Sequence, residues 1–334
     1  DLHVRSRRQR QMCIRDSAYA GIPVTHRGYC TQFTVFTGHE GENKKASSLN
    51  LKGIAEAQGT KVMLMGMQKL KEAEIGEAQL DARLLLEEVC GTDHNTLLCH
   101  GDREVSEAEE EQYRKALEQR AVHVPLQHLL GYQDFMGLRF QVNEYVLIPR
   151  QDTEILVEEA MRYLHDGMRI LDLCTGSGCI LLSLLHYSND CEGVGVDISQ
   201  EALQVAAQNA ELLGIKADFL KSDLYEKVTG KFDLLVSNPP YIERKVIPTL
   251  MEEVREYDPY IALDGGEDGL DFYRRIIGGA QDYLKRGGQI LMEIGSGQAK
   301  AVSELLREAG FKEIDVCRDF ASLDRVVSGR LPIL

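Results

Sequence analysis

From residue 169 to the C-terminus, short apolar runs alternate with longer stretches whose apolar positions recur at helical spacing. "RILDLCTG" predicts a first strand and "CILLSLLHY" its helix. "CEGVGVDI" predicts a second strand, "QEALQVAAQNAELLG" its helix, "ADFLKSDL" a third strand and "KFDLLVSN" a fourth. "LDFYRRIIGGAQDYLK" then reads as a helix and "GGQILMEIG" as strand five. "QAKAVSELLREAG" is a last helix, and "KEIDVC" and "DRVVSGRL" are the final strands. Repeated β-α units imply a mostly parallel, seven-stranded sheet with helices on both faces, an α/β architecture.

The chain ahead of this region has a different pattern. "EAQLDARLLLEEVCG" places Leu80, Leu84 and Val89 near helical spacing, with Gly91 as a stop signal. Ser106 and Glu109 form a capping box before "EEQYRKALEQRAV", and Pro125 breaks that helix before "LQHLLGY". These segments predict a small helical domain over 68–130. "DFMGLRFQVNEYVLIPR" alternates apolar and polar positions, with Gly137 as the turn of a hairpin connector over 131–150. The domain from 151 onward opens with "QDTE". There Asp152 is the expected N-cap, and Glu154 suits the positive end of the helix.

Residues 1–17 are basic, polar and without period, and are expected to be disordered and non-native. "AYAGIPVTHRG", "TGHE" and "GTKVMLMGM", within 18–67, resemble a short internal piece of uroporphyrinogen-III C-methyltransferases. About 50 residues cannot rebuild an enzyme of roughly 250. Residues 1–67 are therefore read as an appendage without activity, and tetrapyrrole methylation is set aside.

Composition narrows the classes. The chain has 334 residues, is 43% hydrophobic and 27% charged, and carries a formal net charge of −15. Residues 1–50 hold eight Lys/Arg against four Asp/Glu, so the body is more acidic still. An acidic body argues against binding nucleic acid through its phosphates. Eight cysteines are scattered without a CxxC pair, and no Cys/His spacing matches a metal site. That usage suits a reducing cytoplasm without a disulfide framework. The longest apolar runs, such as "CILLSLL", are too short for a membrane span.

Four candidate features follow successive strands, at the sheet edge where ligands bind in open α/β folds. In "DLCTGSGC", Gly176 and Gly178 allow a tight turn and close approach of a ligand. Leu181 stands where a dinucleotide fingerprint needs Gly or Ala, which disfavours a pyrophosphate ligand. Asp197, 19 residues after Gly178, could accept from both hydroxyls of a ribose; the competing reading is a helix N-cap, with Ser199 its rival for that position. In "SDLY", Asp223 could accept from the exocyclic amine of adenine, with Leu224 packing on the ring. A nucleoside without phosphates, such as S-adenosylmethionine, meets all three.

The fourth feature is "SNPPYI". Asn238 offers a carboxamide oxygen, Pro239 a carbonyl oxygen and Tyr241 a flat face, and two prolines stiffen the loop. Their natural partner is a planar –NH2 group whose lone pair is delocalised. Two fixed acceptors would favour a tetrahedral nitrogen as its bond to methyl forms, without a strong base. The alternative is a strand-ending turn. Arg150 in "IPRQDTE" is open between a ligand carboxylate and a structural ion pair. Glu267 and Asp268 in "GGEDGL" read as turn residues.

"FMGLRFQVNEYVLIPRQDTE", "ILDLCTGSGCI", "VGVDIS", "VSNPPYI" and "GGEDGLDFYRRI" together resemble the bacterial peptide chain release factor N5-glutamine methyltransferases, over about 68–334. The resemblance implies a class I, Rossmann-like S-adenosylmethionine-dependent domain behind a helical substrate-docking domain, with no metal. It implies a cytoplasmic monomer that methylates the glutamine amide nitrogen in the Gly-Gly-Gln loop of class I release factors. Carried over residue by residue, Cys174, Thr175, Gly176, Ser177, Gly178, Asp197, Asp223, Leu224 and Asn238 would contact the cofactor. Asn238, Pro239, Pro240 and Tyr241 would hold the glutamine, with Asn238, Pro239 and Tyr241 in the catalytic role. Cys174 stands where many relatives have Gly, although cysteine does not take positive φ cheaply. The alternative is an adenine-N6 methyltransferase of DNA or RNA, which shares the Asn-Pro-Pro-Tyr loop but needs a basic surface and a wider aromatic pocket.

Overall fold

A computed structural model of the chain describes residues 61–99 and 104–333. The expectations for residues 1–60 lie outside the described residues. The chain divides after Ala121 into two compact units.

The first unit contains α1 (Lys61–Glu72), α2 (Ala78–Cys90), α3 (His94–Cys99) and α4 (Glu107–Ala121). Helix α1 runs across residues 67–68, where the sequence pattern set the start of the helical domain. Gly91 ends α2 in the left-handed conformation (φ 56°), as its position suggested. The capping box also forms. Ser106 N–H donates to Glu109 Oε2 at 2.8 Å, and Glu109 N–H to Ser106 Oγ at 3.3 Å. The buried face of α2 is not the expected one. Leu80 is exposed, and Ala78, Ala82, Leu85 and Leu86 are buried. Asp81 shares that face because Arg120 of α4 neutralises it at 2.7 Å, with both side chains buried.

The second unit opens with α5 (Leu126–Leu130) and a hairpin of β1 (Tyr132–Phe135) and β2 (Leu138–Gln141). Met136 and Gly137 both take positive φ, the requirement of a two-residue hairpin turn. Helix α6 (Gln151–Met161) follows. Asp152 is not its N-cap: Arg150 holds that position without a side-chain cap. Asp152 lies in the first turn instead and pairs with Arg325 at 3.1 Å. Glu154 accepts from the Met136 N–H at 2.6 Å and so ties the hairpin to the helix.

The sheet comprises β3 (Arg169–Leu173), β4 (Glu192–Asp197), β5 (Asp218–Lys221), β6 (Phe232–Ser237), β7 (Leu284–Glu293), β8 (Lys312–Arg318) and β9 (Asp324–Arg330). Its order is β5-β4-β3-β6-β7-β9-β8, with β9 antiparallel to both neighbours. Seven strands, mostly parallel, form the sheet that the β-α alternation predicts. Alternate residues along the strands feed two cores. Leu171, Leu235, Ile290, Met292 and Val327 face α9 (Asp271–Tyr283) and α10 (Ala299–Glu308). Ile170, Leu234, Val236, Leu291 and Val326 face α6, α7 (Cys179–His186) and α8 (Gln200–Leu213). Burying each such side chain is worth about 1.5–3 kcal/mol, which makes the sheet a rigid platform. Strand order reverses between β3 and β6, so a crevice opens at their C-terminal ends.

Candidate active site

The register brings the four motifs to one edge. Leu173 pairs with Val196 and with Ser237, and Asp197 pairs with Lys221. The segments after β3, β4, β5 and β6 therefore emerge side by side. They surround a cleft of about 1090 Å³, counted with the solvent in its mouth. Its lining includes Cys174, Thr175, Gly176 and Ser177, then Asp197, Asp223 and Leu224, and then Asn238 and Pro240. Gly178, Pro239 and Tyr241 are not part of that lining.

The turn after β3 is built for close approach. Cys174 takes φ 60°, Gly176 φ 54° and Gly178 φ 80°. Cysteine, which lines the cleft, thus adopts the left-handed conformation that would favour glycine. A Cβ on Gly176 would meet nothing within 4 Å, so that face of the turn is open space. Under the turn lies Asp172, fully buried, with Oδ2 taking the Thr175 hydroxyl at 2.6 Å and Oδ1 without a hydrogen-bond partner among the described residues. Burial raises its carboxyl to about 7, against the pull of the Thr175 hydroxyl.

Asp197 is not the helix cap: Ser199 caps α8 by accepting from the Ala202 N–H at 3.0 Å. Each oxygen of Asp197 takes one backbone N–H instead, from Gly176 at 3.0 Å and from Ser199 at 2.9 Å. A carboxylate oxygen accepts two hydrogen bonds, so both retain capacity for a vicinal diol. Burial raises the Asp197 carboxyl, and the two N–H bonds hold it down. Asp223 is partly committed, with Oδ2 pairing Arg275 at 2.8 Å. Leu224 takes φ 48° and is buried. The turn, the paired acceptors and the apolar wall fit an adenosine-like group.

Asn238 Nδ2 donates to Thr153 Oγ1 at 3.3 Å. Its Oδ1 makes no hydrogen bond with the described residues. Pro239 is buried. Tyr241 is turned inward, where its hydroxyl donates to Glu293 Oε1 at 3.3 Å. Tyr241 is half-buried, and the segment behind it sets its position. The Tyr241 carbonyl accepts from Gln298 Nε2 at 2.9 Å, and Ile242 is bracketed by Leu263 and Gly265 main-chain bonds. A Cβ on Gly265 would lie 2.7 Å from Tyr241 Cα, so only glycine permits that approach. "GGEDGL" is thus a backbone clamp on the Asn-Pro-Pro-Tyr loop. Asp268 accepts the Leu270 N–H at 3.1 Å and so closes the turn expected of it.

Arg150 pairs with Asp258 at 2.6 Å, the structural alternative for this arginine. Thr153, Glu293, Phe272 and Arg275 were not singled out from the sequence. An acid at the end of strand five is the same signal that marked Asp197, and Glu293 met it. Among the described residues no group of three or more His, Cys, Asp or Glu is placed to hold a metal ion. No described helix is long and apolar enough to cross a membrane.

Comparison with known proteins adds the family. Residues 62–131 match the PrmC N-terminal domain, and residues 151–256 match the methyltransferase small domain. A release factor glutamine methyltransferase from Geobacter sulfurreducens is 41% identical over 263 residues, covering 78% of this chain and 93% of the relative. One from Clostridium acetobutylicum is 43% identical over 265 residues, covering 77% and 93%. The crystal structure of a protein-(glutamine-N5) methyltransferase (release factor-specific) from Alicyclobacillus acidocaldarius is 30% identical, with a TM-score of 0.36, covering 58% of this chain and all of that one. On the identity and coverage of these relatives, the chain belongs to the release factor glutamine methyltransferase family.

Proposed function

We propose that the protein transfers the methyl group of S-adenosylmethionine to the side-chain amide nitrogen of the glutamine in the Gly-Gly-Gln loop of class I peptide chain release factors. One observation carries this reading. Asn238, with its carboxamide oxygen uncommitted, lines the same cleft as the Cys174–Ser177 turn and Asp197.

S-adenosylmethionine would supply an electrophilic methyl group on a sulfonium. Asp197 would accept from the ribose hydroxyls, and the turn at Gly176 lets the main chain approach the ligand. Asp223 keeps one oxygen for the adenine amine while Arg275 holds the other. Asn238 Oδ1 and the Pro239 carbonyl would accept the two N–H groups of the glutamine amide. That fixes the nitrogen and draws its lone pair out of conjugation. The nitrogen would bond the methyl carbon as the carbon–sulfur bond breaks, its electron pair staying with the sulfur of the departing thioether, and one nitrogen proton would pass to water. Pro240 stiffens the loop, and Tyr241 anchors it through Glu293. The helical unit is the docking surface we assign to the release factor, and the cytoplasm is where the two would meet.

The test is incubation with methyl-labelled donor and purified release factor. Label should enter the protein and vanish when the loop glutamine is replaced. Label in an adenine-containing oligonucleotide, and none in release factor, would overturn the assignment in favour of base methylation.

A further inference from the structure

Asparagine carries an oxygen and an NH2 of nearly the same size on one planar group, so packing alone does not choose which faces the cleft. In this fold the choice rests on Thr153. The Asn238 Nδ2 bond to Thr153 Oγ1 is what leaves Oδ1 for the acceptor amide. A threonine hydroxyl, however, has one proton and could equally donate to Asn238 Oδ1. That would turn the NH2 toward the substrate, where two donors would meet two donors.

Glu293 offers the Thr153 proton another acceptor. Val236 pairs with Leu291 and Ser237 with Met292, so Glu293 stands level with Asn238 at the ends of adjacent strands. Thr153, in the first turn of α6, is 2% exposed, and Glu293 is 2% exposed. Glu293 Oε1 takes the Tyr241 hydroxyl, while Oε2 is buried and has no hydrogen-bond partner among the described residues. Burial raises the Glu293 carboxyl to about 7, and the Thr153 hydroxyl is the foremost pull against that rise, ahead of Arg325 and Tyr241. Oε2 is thus a buried acceptor open to the Thr153 proton, and a proton sent there would leave Oγ1 to accept from Asn238 Nδ2, the bond that the structure shows.

We propose that Thr153 is a positioning residue: its buried hydroxyl, which accepts from Nδ2, holds the Asn238 amide with Oδ1 toward the acceptor nitrogen. The proposal rests on the methyl-transfer reading above, and the test separates the two.

The experiment compares Thr153→Val with Thr153→Ser in the full-length chain. Thr153→Val should lower kcat about 10- to 100-fold, while KM for release factor and Kd for the donor stay within about threefold. Thr153→Ser should restore kcat to within about threefold of the parent. In protein labelled with 15N-asparagine, the Asn238 side-chain amide signal is assigned by its loss in Asn238→Ala. It should move in Thr153→Val and stay in place in Thr153→Ser. A Thr153→Val variant with the parent's kcat, an unmoved Asn238 signal, or a serine variant as impaired as valine would overturn the proposal. If Thr153→Val does not fold, Thr153→Ala carries the same comparison. An Asn238 signal that moves in a protein inactive on release factor would uphold the positioning and sink the functional reading instead.

Discussion

At Cys174 the fold asks one side chain for a conformation that suits glycine. A non-glycine residue in the left-handed region carries about 1–2 kcal/mol of steric cost, partly offset because glycine loses more entropy on folding. Cys174→Gly is therefore expected to stabilise the protein by up to about 1 kcal/mol in denaturant titration, with donor affinity unchanged or tighter. A clear loss of stability would mean that the thiol's contacts in the core outweigh its backbone strain. Asp197 was legible at this scale. Its position 19 residues after Gly178 marked a strand-end acid, and Ser199 was a visible rival for the cap. Thr153 was not legible. In "RQDTE" it looks like any residue of a helix start, and its partner Asn238 lies 85 residues away along the chain.

Between elements, the decisive contact is the one that binds the Asn-Pro-Pro-Tyr loop to the segment 263–269. Two proline residues end β6, and Gly265 and Gly269 then admit the Tyr241 main chain at distances no side chain allows. Gly265→Ala places a methyl against backbone that cannot yield, so the loop itself must shift. The expected result is a fall in kcat of about tenfold or more, with faster hydrogen exchange over 238–242 and donor affinity near that of the parent. Unchanged turnover would show that the clamp does not set the loop's position. Strand and helix alternation from 169 onward was readable from period alone, because residues with period two face two separate cores. The buried stripe of α2 was misjudged. Asp81 lies on that stripe, and Arg120, 39 residues on, makes its burial tolerable. Asp152 as a cap failed for a similar reason, since Arg325, distant in the chain, claims its carboxylate.

At the scale of the molecule, burial pushes two carboxyls of the described residues to about 7, Asp172 beneath the turn after β3 and Glu293 behind the Asn-Pro-Pro-Tyr loop. Both values lie above those of the unfolded chain, 3.8 and 4.5. The folded state thus binds more protons between about pH 4.5 and 7, so this contribution is complete at the acid end of that window and is lost as pH rises through 7. Each group can remove about 1.4 kcal/mol per pH unit within the window at most. Thermal melting should therefore give a higher midpoint near pH 5.5 than near pH 8. Asp172→Asn and Glu293→Gln should each flatten the difference. A midpoint that rises with pH across that range would contradict the upward shift of both carboxyls.

The role proposed for the Asn238 carboxamide is to receive the acceptor nitrogen, and Asn238→Ala measures this directly. Single-turnover methylation of release factor should fall by about 10²–10³, the loss typical of removing one preorganised polar contact from a transition state. Donor affinity, followed by calorimetry on the same protein, should stay within about threefold. Methyl transfer at the parent's rate with donor fully bound would contradict the role given to that oxygen.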